Sequence, residues 1–139
     1  MTPLIVTAAL IRNNNKILIA QREKDSKHSL LWEFPGGKLE ENETPESCLK
    51  REILEELNLE IGVTDIFKVV YYKYPERDIL LLCYTCELLG GEVFALECND
   101  FKWILIEELE KFSFVGADLP IIDKIKRIGS PLFQIDYNG

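Results

Sequence analysis

The segment that decides the fold runs from Gly37 to Leu59 and reads GKLEENETPESCLKREILEELNL. Its middle contains residues typical of the start of a helix, because Thr44 suits the N-cap and Pro45 suits the first helical position. Glu46 follows, where a negative charge favours the positive end of the helix dipole. Asn58 tolerates the left-handed conformation that ends many helices. The segment therefore predicts a helix that begins after Thr44 and ends before Asn58.

Acidic side chains gather on one side of this predicted helix. At about 3.6 residues per turn, Glu52, Glu55 and Glu56 project to the same side. The neighbouring side carries the apolar residues that can pack on a sheet, which are Leu49, Ile53 and Leu57. Lys50 and Arg51 offset part of the repulsion between the carboxylates. A hard cation such as Mg²⁺ could offset the rest. The alternative is an ordinary solvated acidic face, and the helix alone favours that alternative.

Length and composition indicate one globular domain that spans residues 1–139. The chain has 139 residues, of which 47% are hydrophobic, and a net charge of −8. This charge argues against a nucleic-acid partner. A phosphate-bearing small molecule fits better, because a bound divalent metal reverses the local sign of the field. No apolar run approaches the roughly 20 residues that cross a bilayer, so we expect no membrane partner.

The N-terminus and the cysteines point to a reducing cytoplasm. The first residues lack the basic flank and cleavage site of a signal peptide. The four cysteines have neither a disulfide framework nor paired zinc-knuckle spacing. Cys83 and Cys86 fall in an apolar run that is typical of a strand, so they should face opposite sides. We expect buried or half-buried thiols.

Apolar runs predict a sheet around the helix. The predicted strands are Leu4–Ile11, Lys16–Ala20, Trp32–Phe34, Ile61–Tyr74, Ile79–Leu88 and Phe101–Ile106. The first two should form a hairpin with Asn13-Asn14-Asn15 as the turn. Two further segments, Pro35-Gly36-Gly37 and Leu89-Gly90-Gly91, predict breaks in regular structure. Asp118 is the predicted N-cap of a last helix, Leu119–Ile128.

The segment from Gly37 to Leu59 resembles the Nudix box, Gly-x5-Glu-x7-Arg-Glu-apolar-x-Glu-Glu-x-Gly-apolar. The matching residues are Gly37, Glu43, Arg51, Glu52, Ile53, Glu55, Glu56 and Leu59. The one departure is Asn58, which stands where the pattern has glycine. Asn is the best replacement at a left-handed helix end, so we expect the helix end to survive. A motif of this length is far more specific than a Glu-rich helix.

The resemblance implies a fold and a reaction. The implied fold is α+β, an α/β/α sandwich with a mixed sheet between helices. The implied reaction is Mg²⁺-dependent hydrolysis of a phosphoanhydride, with Mn²⁺ as an alternative cation. The metal ligands that it implies are Glu52, Glu55, Glu56, the Gly36 carbonyl, Glu97 and, in a supporting role, Glu43. Glu52 is the first candidate for the general base and Glu97 the second, while Arg51 holds the carboxylates by ion pairing.

Outside the box, the chain resembles the MutT-like branch, which cleaves nucleoside triphosphates. Arg22 stands where that branch has a phosphate-contacting arginine, and Arg77 where an arginine reaches the base. Lys38 follows a Gly pair and could touch phosphate, and Phe34 is expected in the core or the pocket wall. The alternative is that these side chains are exposed to solvent and bind nothing, Arg22 in a charged loop, Lys38 on the surface and Arg77 in a turn. The single histidine, His28, is expected to be a solvated loop residue.

Asp118 stands where this branch places an amide or an acid at the edge of the nucleobase. Relatives selective for 8-oxoguanine have Asn there, which offers both a donor and an acceptor. An ionised Asp offers acceptors only, which suit an exocyclic amino group on cytosine, adenine or guanine, and a protonated Asp reads other patterns. Bases other than 8-oxoguanine therefore also fit. The alternative role for Asp118 is the helix cap described above.

Two other functions stay open at this point. Pro75 lies where an ADP-ribose or nucleotide-sugar pyrophosphatase carries a proline, although the segment Tyr74–Arg77 of the MutT-like branch explains it equally well. Some Nudix-fold domains sense nucleotides or bind RNA without cleaving, but those typically lose carboxylates that this chain keeps. Because the MutT-like branch includes monomers, we expect a monomer.

Overall fold

The computed structural model describes residues 2–134. The strands are β1 (Leu4–Asn13), β2 (Lys16–Gln21), β3 (Trp32–Glu33), β4 (Gly36–Lys38), β5 (Leu59–Lys73), β6 (Asp78–Gly91) and β7 (Asp100–Ile104). The α-helices are α1 (Pro45–Leu57) and α2 (Leu119–Ile128). Short 3-10 helices cover Ile106–Lys111, Gly116–Asp118 and Ser130–Phe133. No helix within residues 2–134 is long and apolar enough to cross a membrane.

The strands form one mixed sheet, as the resemblance implied. Its main path runs β3-β2-β1-β6-β5, with β4 paired to β1 and β7 paired to β2. The β1–β6 pair is parallel and extends from Leu4 opposite Ile79 to Arg12 opposite Glu87. The other pairs are antiparallel. Strand β5 lies at the end of the path, and its register shifts at three places between Glu60 and Lys68.

A hydrophobic core lies on each face of the sheet, which confirms the α/β/α arrangement. On one face, α1 contributes the fully buried side chains Leu49, Ile53 and Leu57. On the other face, α2 contributes Ile121, Ile122 and Ile125. The apolar spacing of both helices predicted these faces correctly. Cys83 belongs to the α2-side core and Cys86 to the α1-side core, so the prediction that they face opposite sides is confirmed.

Helix α1 begins and ends where the sequence predicts. The Thr44 hydroxyl accepts the Ser47 N–H at 3.2 Å, and the Ser47 hydroxyl accepts the Thr44 N–H at 3.1 Å. At the other end, Asn58 is left-handed, with φ 60° and ψ 30°. Its side chain donates to the Glu92 carbonyl at 3.0 Å. Asparagine thus replaces the family's glycine and adds a bond that glycine lacks.

Two predicted breaks are wrong, and glycine explains both. Residues Gly36–Lys38 pair with β1. The two strands approach so closely that a Cβ on Gly36 would lie 2.1 Å from the Thr7 carbonyl oxygen. Glycine at this position therefore permits close pairing instead of interrupting it. Strand β6 likewise continues through Gly90 and Gly91, which pair with Glu60 and Leu59 of β5. The last predicted strand ends two residues early, at Ile104, where a 3-10 helix follows.

The left-handed residue Asn58 gives a stability test. An Asn58→Ala variant loses the bond to Glu92 and places a Cβ-bearing residue without local hydrogen bonding in the left-handed region. We expect the free energy of unfolding to fall by about 1–2 kcal/mol, measured by urea denaturation. Asn58→Gly is the matched control and should lose less, because it removes the backbone cost. An alanine variant as stable as the wild type would contradict this account.

Candidate active site

Arg51 is the centre of an ion-pair network on α1. Its Nε and Nη2 donate to the two oxygens of Glu43 at 2.6 and 2.9 Å. Its Nη1 donates to Glu52 Oε1 at 3.0 Å and to Glu55 Oε2 at 3.1 Å. The Arg51 hydrogen bonds lower the pKa of Glu43 to about 2. The arginine thus holds three box carboxylates in place, which is the arrangement that the resemblance implies for it.

Carboxylates crowd together beside this network. Glu56 is only 7% exposed, and burial raises its pKa to about 8, with the charges of Glu33, Glu52 and Glu97 adding to the effect. Burial also raises the pKa of Glu52. Glu97 is exposed, but its backbone N–H donates to the Glu56 carbonyl at 3.3 Å, which keeps its loop against the end of α1. Each charge opposes ionisation of its neighbours, so the cluster favours a cation.

The chemistry of these groups fits a hard divalent cation. The candidate donors are carboxylate oxygens of Glu52, Glu55, Glu56 and Glu97, together with the Gly36 carbonyl. Both Glu43 oxygens are taken by Arg51, which fits a supporting role better than direct ligation. Within residues 2–134 no three acidic, His or Cys side chains are grouped closely enough to hold a metal ion as they stand. A cation bound here would compete with Arg51 for Glu52 and Glu55.

Gly37 brings strand β4 against the carboxylate helix. A Cβ on Gly37 would lie 2.3 Å from the Glu52 Cδ, so the absence of a side chain lets the Glu52 carboxyl approach the strand. The neighbouring Thr7 hydroxyl donates to the Gly37 carbonyl at 3.1 Å and fixes the strand from the other side. The glycine pair thus lies between the carboxylate cluster and the adjoining cavity.

A cavity of about 490 Å³ opens next to the carboxylates. Its volume lies within the roughly 300–1,000 Å³ that is usual for small-molecule sites. The structure brings together in its walls all the residues that the sequence proposed for substrate, which are Arg22, Phe34, Lys38, Arg77 and Asp118. Phe34 is buried, while Lys38 and Arg77 are exposed.

Asp118 precedes α2 as its N-cap residue, but its side chain is buried and points into the molecule. Its Oδ2 accepts the Phe34 N–H at 2.8 Å, and its side chain makes no capping bond. The predicted position of the N-cap is therefore confirmed, but no side-chain cap forms, because the Asp118 backbone is already helical, at φ −86° and ψ −12°, and continues the preceding 3-10 turn. Burial raises the pKa of Asp118 to about 8, with a further contribution from the charge of Glu33.

Several residues of the cavity wall were missed or misjudged from the sequence. The His28 ring packs 4.9 Å from the Tyr74 ring, so this histidine is not simply a solvated loop residue. The Tyr74 hydroxyl accepts the Ala117 N–H at 2.9 Å, which fixes the turn that carries Asp118. Glu33 was overlooked, although a lone carboxylate between two aromatic residues in a short strand was a usable signal.

Similarity to known proteins gives independent evidence for the family and the fold. A model of the NUDIX domain matches residues 1–125. The chain belongs to the NUDIX family. It is 35% identical over 129 residues to the 8-oxo-dGTP diphosphatase of Escherichia coli K12, covering 92% of this chain and 100% of that protein. It is 33% identical over 123 residues to the CTP pyrophosphohydrolase of the same organism, covering 88% of this chain and 93% of that protein.

Solved structures give the same result. The solution structure of the E. coli ORF135 protein is 32% identical and superposes with a TM-score of 0.81, covering 92% of this chain and 91% of that one. The NMR structure of MutT from methicillin-resistant Staphylococcus aureus is 37% identical, with a TM-score of 0.73, and covers 92% and 98% of the two chains. The Nudix fold and the MutT-like resemblance read from the sequence are therefore confirmed.

The buried acid Asp118 gives a pH test. Its folded-state pKa is raised to about 8, from an ordinary value of 3.8. Between these values the folded chain binds a proton that the unfolded chain has lost, so this carboxyl makes stability fall as pH rises. Glu56 acts with the same sign. We expect Asp118→Asn to flatten the decline in unfolding free energy between about pH 5 and pH 8, measured by urea denaturation in EDTA. Parallel curves for variant and wild type would contradict the assignment.

Proposed function

We propose that this Nudix protein is a Mg²⁺-dependent pyrophosphohydrolase that cleaves a nucleoside or deoxynucleoside triphosphate to the monophosphate and pyrophosphate. The observation that carries the proposal is the carboxylate cluster of α1 beside a cavity lined by Arg22 and Asp118. The MutT-like relatives named above support the same reaction. We further propose a role in clearing damaged nucleotides, or in hydrolysing CTP or dCTP, by a cytoplasmic monomer.

In this proposal, the groups that would hold the cation are Glu52, Glu55, Glu56, Glu97 and the Gly36 carbonyl. A bound divalent cation supplies neutralisation of phosphate charge and a water of lowered pKa. Arg51 orients the carboxylates through the bonds described above. Glu52 accepts the proton of the attacking water, and Glu97 is the second candidate. The position of Glu52 supports this choice, because the missing side chain of Gly37 lets the Glu52 carboxyl approach β4 next to the cavity.

The cavity residues hold the nucleotide. Arg22 and Lys38 stabilise negative charge on the phosphate oxygens, and Phe34 forms a wall for the base. Asp118 reads the edge of the base, with Arg77 nearby at the rim. A carboxyl with a pKa of about 8 is protonated at neutral pH, so Asp118 can donate as well as accept a hydrogen bond. This supports a broader choice of bases than an ionised carboxylate would allow.

A pyrophosphate-release screen tests the function directly. The panel contains 8-oxo-dGTP, dGTP, CTP and dCTP, assayed for pyrophosphate, together with ADP-ribose, assayed for AMP because its cleavage releases AMP and ribose 5-phosphate and no pyrophosphate. Each substrate is tested with Mg²⁺ and with EDTA. We expect Mg²⁺-dependent release of pyrophosphate from at least one triphosphate and none in EDTA. Cleavage of ADP-ribose alone would favour a nucleotide-sugar pyrophosphatase. No turnover on any substrate would favour a non-catalytic nucleotide-binding module.

Glu52 provides the test of the catalytic assignment. Glu52→Gln removes a ligand charge and the proton acceptor but keeps the side-chain shape. We expect kcat to fall at least about 10³-fold, since general-base catalysis alone contributes roughly 10²–10⁴-fold. The unfolding free energy should change little. Glu60→Gln, at an exposed glutamate of β5, is the matched control and should keep full activity. Equal turnover by the Glu52 variant and the wild type would exclude Glu52 as the base.

The two glycines of β4 provide a paired test. In Gly37→Ala the new Cβ meets the flexible end of Glu52, so the carboxyl shifts while the backbone stays. We expect Mg²⁺ affinity and kcat to fall at least about tenfold, with little loss of stability. In Gly36→Ala the Cβ meets backbone atoms of Thr7 and Ala8, so stability should fall by about 1–3 kcal/mol or more. The opposite result, with Gly37→Ala mainly destabilised and Gly36→Ala mainly less active, would contradict the roles assigned to the two glycines.

A further inference from the structure

Arg22 and Glu33 form an ion pair in the wall of the cavity. Arg22 Nη1 lies 3.1 Å from Glu33 Oε1, and both side chains are mostly shielded from solvent, with 29% and 23% exposed. Both residues are held by strand pairing. Glu33 lies in β3 opposite Ala20 of β2, and the Arg22 N–H donates to the Leu31 carbonyl at 2.9 Å. The pair therefore rests on a fixed backbone on both sides.

The guanidinium of Arg22 is fixed along two of its edges. Its Nε donates to the Lys27 carbonyl at 2.7 Å while Nη1 donates to Glu33. These bonds leave Nη2 without a partner among residues 2–134, on a side chain that lines the cavity. Because the guanidinium is planar, fixing two edges also fixes the direction in which the third edge points.

Glu33 stands in a place where a carboxylate costs folding free energy. It lines the cavity, and its charge raises the pKa of Asp118 in the cavity and of Glu56 in the carboxylate cluster, so it is close enough to affect the ionisation of both. Burial raises the pKa of Glu33 itself, and the charge of Arg22 opposes that rise. A partly buried pair of this kind is a weak source of stability. The position of the pair in the cavity wall instead suits a role in the function of the site.

We propose that Glu33 is a positioning residue that aims Arg22 at the phosphate chain of the bound nucleotide. It acts through Arg22 and does not touch the reacting atoms. Without Glu33, Arg22 keeps its charge but loses one of the two bonds that fix its direction. This inference rests on the proposed nucleotide hydrolysis and adds a residue that neither the box nor the predicted substrate contacts contain.

A double-mutant cycle tests this proposal. The variants are Glu33→Gln, Arg22→Ala and the two together, assayed on the best substrate of the screen. We expect Glu33→Gln alone to lower kcat/KM about tenfold or more, and to change it less than about twofold when Arg22 is already absent. A loss of equal size in both backgrounds would mean that Glu33 acts on the carboxylate cluster and would overturn the proposal. If Arg22→Ala unfolds the chain, Arg22→Lys replaces it, because lysine keeps the charge without the planar fork.

A matched control separates position from charge. Glu110→Gln breaks an exposed ion pair with Lys126, whose atoms lie 2.8 Å apart. It removes the same charge far from the cavity and should leave kcat/KM unchanged. Glu33→Asp keeps the charge on a shorter side chain and should recover part of the activity that Glu33→Gln loses. If Glu33→Asp keeps Arg22 fixed but has a kcat/KM no higher than that of Glu33→Gln, the result would contradict the proposal that the ion pair aims Arg22.

A readout without turnover completes the test. In a ¹⁵N–¹H spectrum, the Arg22 Nη1–H, which donates to Glu33, should exchange slowly with solvent in the wild type and quickly in Glu33→Gln. Unchanged exchange in Glu33→Gln would overturn the positioning role, whatever the kinetics show. A wild-type chain that hydrolyses no nucleotide would instead overturn the proposed function. These two failures are distinguishable, because the exchange measurement does not depend on activity.

Discussion

The close contact of two adjacent glycines with their neighbours sets the geometry of the whole site. Gly36 lies so close to the Thr7 carbonyl that no side chain fits, and this contact joins β4 to β1. Gly37 lies equally close to the Glu52 carboxyl, and this contact sets the distance between β4 and α1. Strand and helix can therefore present their polar atoms to one small volume. The carboxylate cluster and the cavity wall both depend on that approach.

The site then concentrates charge at a cost in stability. Glu56 and Asp118 are buried carboxyls whose pKa values are raised to about 8, so the ionised form of each is unfavourable without a positive partner. Arg51 and Arg22 offset part of the cost, each by hydrogen bonds to acids on a different side of the site. The apolar cores on both faces of the sheet supply the stability that such a cluster consumes. Strain of this kind is expected where function and folding compete.

Local signals in the sequence predicted the helices well. The N-cap Thr44, the end at Asn58 and the apolar faces of α1 and α2 all depend on residues within a few positions of each other. The glycine-rich segments misled because the deciding contacts, such as Gly36 with Thr7, join residues far apart in the chain. The bond from Phe34 to Asp118 and the pairing of Arg22 with Glu33 are equally non-local. Residue types in the site were therefore predictable, whereas their partners were not.

The uneven register of β5 has a consequence for the behaviour of the chain in concentrated solution. This strand ends the main path of the sheet, where regular backbone groups would offer a template for another chain. Its three register shifts between Glu60 and Lys68 interrupt that template, because a bulged strand cannot match a straight partner along its length. The exposed apolar residues Ile66 and Val69 lie in or beside the interrupted part. The irregular register thus opposes pairing of this exposed strand edge with another chain, and so opposes aggregation.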